Sequence, residues 1–129
     1  MKRDRVPAGT KWDAVVGYSR AVRVGQFIHV SGTTGIDGSG RAVAPDPEAQ
    51  TRQALANIAA ALERLGATMA DVVRTRMFVT DIDAWEAVGR AHGEVFGELR
   101  PATSMVEVSR LIAPELVVEI EADAVVSES

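Results

Sequence analysis

Apolar and polar positions alternate across residues 21–24 and again across residues 27–32, and Gly25-Gln26 between them is a Gly-X pair suited to a tight turn. The pattern predicts a β-hairpin. Asp37-Gly38-Ser39-Gly40 supplies the next loop, with Pro45 and Pro47 leading out of it. Asp46 then reads as an N-cap with Pro47 at the first helical position and Glu48 in the first turn, while Leu55, Ile58, Leu62 and Leu65 recur at helical spacing. Gly66 is the expected C-terminal stop. Alanines at 54, 56, 59, 60 and 61 favour the helix and let it lie close on a sheet.

Residues 72–80 read as a strand, with Val73, Thr75, Met77 and Val79 on one face and Arg74, Arg76 and Phe78 on the other. Asp83 with Glu86 forms a capping-box pattern for a second helix, whose Trp85, Val88, His92, Val95 and Leu99 keep helical spacing. Residues 103–108 and 116–126 read as the last two strands, separated by Ile112-Ala113-Pro114. The order is hairpin, helix, strand, helix, strand, strand. It predicts an α+β domain in two layers, a mixed β-sheet with two helices on one face.

Such a sheet leaves its other face uncovered. In the last strand Val118, Ile120, Ala122, Ala124 and Val126 form an all-apolar row that belongs under the helices. The opposite row, Val117, Glu119, Glu121, Asp123 and Val125, mixes valines with acids, and Arg74 and Arg76 are its expected counter-charges. A surface of that kind fits an interface between subunits better than bare solvent.

At 129 residues the chain is expected to form one domain, residues 1–129, with a core that needs no disulfides. A formal net charge of -4 with scattered Lys and Arg provides no basic patch for a phosphate backbone, so nucleic acid is not an expected partner. The absence of cysteine excludes disulfides, thiolate metal sites and a cysteine nucleophile. Residues 1–10 contain no apolar run suited to a signal peptide or a membrane helix, and a cytoplasmic address is expected, with no membrane partner.

Four blocks in order carry a resemblance: Gly17-Tyr18-Ser19 with Val30-Ser31-Gly32; residues 50–58, Gln-Thr-Arg-Gln-Ala-Leu-Ala-Asn-Ile; Asp71-Val72-Val73 through Phe78-Val79-Thr80-Asp81; and residues 100–108 followed by 116–124. Together they resemble the Rid family of reactive intermediate deaminases, also called the YjgF or L-PSP family. The resemblance implies a chorismate-mutase-like fold, assembly as a homotrimer and a small-metabolite site in each cleft between subunits. It implies that Glu119 orients the water that attacks an imine carbon. Tyr18, Ser31, Gly32, Thr103 and Met105 would line the cleft as substrate-binding residues.

Each position also has a structural reading. Glu119 could be a strand carboxylate paired with Arg74 or Arg76, Tyr18 a ring packed on the sheet edge, and Gly32 a bulge at a strand end. Thr103 stands where deaminating members of the family carry an arginine that grips the substrate carboxylate. A guanidinium offers two parallel charge-assisted bonds of about 1.5–3 kcal/mol each, whereas a threonine hydroxyl offers one of roughly 1 kcal/mol. Carboxylate binding should fall by at least about one to two orders of magnitude. Gly89 in place of a common asparagine and Met105 in place of a common small cysteine imply a less polar cavity, and Arg20, Arg100 and Arg110 are the available substitutes for the lost cation.

His29 and His92 read as packing residues rather than ligands. Glu119, Glu121 and Asp123 share a strand face but are spaced about 6–7 Å apart, too wide for one ion. No metal and no cofactor are expected. Two functions follow: hydrolytic deamination of an enamine or imine intermediate, or a non-catalytic small-molecule-binding or regulatory protein on the same trimer. Ribonuclease activity, which the L-PSP label implies, conflicts with the charge balance and the lack of a histidine pair or basic groove.

Overall fold

The computed structural model describes residues 2–127. In chain order the elements are β1 (Arg3–Val6), β2 (Ala21–Val24), β3 (Phe27–Thr34), α1 (Pro47–Arg64), β4 (Val72–Val79), α2 (Trp85–Phe96), β5 (Ala102–Glu107) and β6 (Val118–Val125). They form one six-stranded sheet in the order β1-β2-β3-β6-β4-β5, antiparallel throughout except for the β4–β5 pair. Both helices pack on one face of this mixed sheet, which makes the α+β two-layer architecture expected from the sequence.

The last strand sits at the centre because its apolar row is continuous. Val118, Ile120, Ala122 and Ala124 are at most 1% exposed and face Leu55, Ile58 and Leu62 of α1 and Val88 of α2, which are buried with them. Asp46 caps α1 through the Ala49 N–H at 2.8 Å, and Gly66 adopts φ 80° just past its end. The close approach of α1 to the end of β3 requires Gly35, where a Cβ would stand 2.9 Å from the Gln50 Cα.

Gln50 is fully buried and ties the run into β6 to α1. Its Nε2 donates to the Glu115 carbonyl at 2.7 Å and its Oε1 accepts from the Val117 N–H at 2.8 Å. Asn57 does the same for the end of β3, donating to the Thr34 and Ile36 carbonyls.

Several local expectations are corrected. The sequence pattern missed β1, a short, charged edge strand paired with β2. Val73 does not share the buried row of β4: the register with β6 shifts between Val72 and Arg74, and this bulge turns Val73 outward, 48% exposed. The cap before α2 is Asp81, which accepts from the Asp83 N–H at the start of a 3₁₀ turn, and the Asp83–Glu86 capping box is not formed. Trp85, Val95 and Leu99 stay exposed, while Ala91 and Phe96 join Val88 and His92 in the buried stripe. β6 begins at Val118 rather than at residue 116.

The uncovered face carries the mixed row. Arg76 lies 3.2 Å from Asp123 and 3.6 Å from Glu121, and His29 lies 2.8 Å from Asp123. Arg74, the other expected counter-charge, instead has a buried Nε with no hydrogen-bond partner among the described residues. Phe27, Val106 and Val125 lie exposed beside these charges. Substituting Gln50 by Leu should leave the Glu115 carbonyl and the Val117 N–H unpaired and cost about 1–3 kcal/mol for each group left unsatisfied, measured by urea denaturation.

Candidate functional site

Two groups of the expected site residues are assembled, on opposite faces of the sheet. The first surrounds Glu119 on the uncovered face. Register between β3 and β6 shifts between Val30 and Thr33, so Ser31 and Gly32 form a bulge opposite the centre of β6. A Cβ at Gly32 would stand 2.7 Å from Glu119 Oε2. The carboxylate occupies the volume that a side chain at residue 32 would take, and a larger residue there would displace it.

Arg20 braces the bulge. Its Nη1 donates to the Gly32 carbonyl at 2.7 Å and to Thr33 Oγ1 at 3.0 Å, and its Nη2 lies 3.4 Å from the Tyr18 hydroxyl. Ser31 donates its hydroxyl to the Ser19 carbonyl at 2.7 Å, which joins the bulge to the segment carrying Tyr18. Burial pushes the Glu119 carboxyl above the ordinary carboxylate range, the charge of Glu121 pushes the same way, and Arg20 opposes both. No side chain among the described residues hydrogen-bonds this carboxylate, so it is half-buried, basic and open to a water or a ligand.

The second group lies on the helix-covered side, at the edge strand β5. Thr103 pairs in register with Thr75 of β4, and their hydroxyl oxygens are 2.9 Å apart; Thr75 Oγ1 is in turn 2.9 Å from His92 Nε2 of α2. Thr103 Oγ1 also lies 3.1 Å from the Pro101 carbonyl. A carbonyl only accepts, so one assignment satisfies all three contacts. Thr103 donates to Pro101, Thr75 donates to Thr103, and His92 donates from Nε2. Burial lowers the His92 pKa, which keeps the ring neutral and leaves Nδ1 as an acceptor.

The one O–H that Thr103 could offer a ligand is thus shared with the Pro101 carbonyl. Met105 lies beside Met77 two residues further along β5. Thr103, Met105, Gly89, His92 and Arg100 border a cavity of about 460 Å³ between α2 and β5.

Of the three candidate arginines, Arg20 belongs to the Glu119 group. Arg100 borders the cavity in a left-handed conformation, φ 49°, with Nε donating to the Gly97 carbonyl at 3.0 Å. Arg110 is exposed in the loop before β6, with no side-chain hydrogen bond among the described residues. His29 is an exposed partner of Asp123 rather than a packing residue, whereas His92 is buried and bonded as expected. The Arg20 brace and the Thr75–His92 chain escaped the sequence reading because both depend on strand register.

A six-stranded mixed sheet with two helices on one face, a bulge opposite a central carboxylate and a pocket at the parallel edge define a class of small α+β proteins. The sequence profile of the family described as Endoribonuclease L-PSP matches residues 9–126, and the chain belongs to that family. It is 37% identical over 115 residues to the 2-iminobutanoate/2-iminopropanoate deaminase of Salmonella typhimurium, covering 87% of this chain and 89% of that protein. A Mycobacterium tuberculosis member of the YjgF/YER057c/UK114 family superposes with a TM-score of 0.89 at 54% identity, covering 97% of this chain and all of the other. The TdcF protein of Escherichia coli, crystallised with bound serine, superposes with a TM-score of 0.83 at 28% identity, covering 95% and 94%.

The raised pKa of Glu119 has a consequence for stability. The folded chain holds this proton more tightly than the unfolded chain, so the contribution is fully present below the ordinary glutamate pKa and is lost as pH rises through the folded value. The Glu119→Gln variant should show a flatter loss of stability over that window. Urea midpoints measured between pH 4 and 7 check it, and equal slopes for the two proteins would contradict the assignment.

Proposed function

We propose that the chain works as a homotrimer whose clefts between subunits bind a small metabolite and hydrolyse an enamine- or imine-type intermediate. The observation that carries this reading is the division of the site residues. Glu119, Tyr18, Ser31 and Gly32 gather on the uncovered face, Thr103 and Met105 on the other side of the sheet and two strands away. A site containing both groups needs two copies, and the uncovered face, with exposed Phe27, Val106 and Val125 among paired charges, is suited to meet a neighbour.

In the cleft, Glu119 holds a water by accepting one of its protons. The water oxygen adds to the imine carbon as the carboxylate takes that proton. The nitrogen receives that proton from Glu119 and then the proton of the new hydroxyl, and the C–N bond breaks, releasing ammonia and leaving a carbonyl. Gly32 and Arg20 fix the carboxylate and its bulge, and Tyr18 walls the approach. The similarity to a protein named 2-iminobutanoate/2-iminopropanoate deaminase supports this class of reaction.

One observation favours a second reading, a non-catalytic metabolite-binding protein. Thr103 offers a carboxylate at most one neutral donor, shared with the Pro101 carbonyl, so a carboxylate-bearing imine is weakly held unless another group grips it. Ammonia release from enzymatically generated 2-aminoacrylate separates the two. On the catalytic reading, Glu119→Gln lowers kcat at least about 100-fold while sedimentation still reports a trimer. Thr103→Arg should raise kcat/KM for this substrate at least about tenfold. No release by the parent or by Thr103→Arg would leave the binding reading.

A further inference from the structure

The cavity between α2 and β5 has the volume of a small-molecule site, about 460 Å³. Its helical wall is built on Gly89 and Gly93, one turn apart. A Cβ built on either meets no heavy atom within 4 Å, so no steric conflict requires glycine at these positions. Glycine is also a poor helix former, which makes two of them in one short helix a cost to folding. What they provide is space.

Most of the rest of the lining is apolar, with Met77, Met105 and Phe96, while Arg100 stands at the border with its Nε donating to the Gly97 carbonyl. His92, 9% exposed, borders the same space, and its Nδ1 has no hydrogen bond among the described residues. The polar groups at the base of the cavity are the His92 ring and the Thr103 hydroxyl, the latter 3.1 Å from the Pro101 carbonyl. Such a space suits an uncharged apolar body.

Resting on the imine-hydrolysis reading, we propose that this cavity is the side-group pocket of that site, and that the substrates are imines bearing a bulky apolar group, aromatic or branched. The chemical step is unchanged by the side group. Water adds to the C=N carbon, the C–N bond breaks, ammonia leaves and a carbonyl forms, with no change of oxidation state. The apolar group stays in the pocket, away from Glu119.

The test generates imines in situ with an amino-acid oxidase from phenylalanine, leucine and alanine, and follows ammonia release by the full chain. The expected kcat/KM is at least about tenfold higher for the phenylalanine-derived imine than for the alanine-derived one. Gly93→Leu, which projects a side chain into the open space, should lower that ratio at least tenfold. Gly93→Ala, which favours the helix, should lower it less, so a folding defect in the larger variant does not hide the result. Equal or reversed preference in the parent, or a ratio unmoved by Gly93→Leu, would overturn the pocket assignment and leave the imine reading intact. Acceleration of none of the three would overturn both.

Discussion

The placement of β6 between β3 and β4 is the constraint on which the molecule rests. A central strand must satisfy two neighbours and two faces at once, and here the alternation of Val118, Ile120, Ala122 and Ala124 with Glu119, Glu121 and Asp123 does so. The apolar row binds both helices to the sheet. The acidic row is thereby fixed on the uncovered side, and a slip of one residue would bury three carboxylates and expose the core. The position of Glu119 is thus tied to the energetics of the fold.

That placement explains why the bulge in β3 matters. A regular strand would bring a side chain at residue 32 into the volume of the Glu119 carboxylate, and a glycine in a bulge removes the clash. Arg20 then occupies the Gly32 carbonyl and holds the displaced backbone, while its charge moderates the rise in the Glu119 pKa. Three residues distant in sequence act as a unit, and the result is a half-buried base without a committed partner.

The sheet-and-helix architecture was legible because it is written in short-range periodicity. The Asp46 cap, the Leu55–Leu65 stripe and the two rows of β6 all rest on spacing along one segment. The errors fall where a different interaction decided. β1 is charged and short, so its strand character comes from pairing with β2; Val73 turned out because a bulge shifted the phase of β4; and Trp85, at the very start of α2, lies beyond the reach of the core. The resemblance supplied the identities of the candidate site residues, but their division between two faces needed the register of β5 on β4. The direction of the Thr103 hydroxyl needed the positions of Thr75, His92 and Pro101, which no one-dimensional pattern contains.

The edge location of β5 places residue 103 under a different structural constraint from residue 119. Residue 103 is exposed on a strand with a neighbour on one side only, so its exchange leaves the apolar core untouched and disturbs the structure only through the Thr75 hydroxyl it partners. Residue 119 sits in the middle of the sheet, its carboxylate filling the space beside Gly32. The rim of this scaffold can therefore be rewritten residue by residue while the carboxylate at the centre of the sheet stays put.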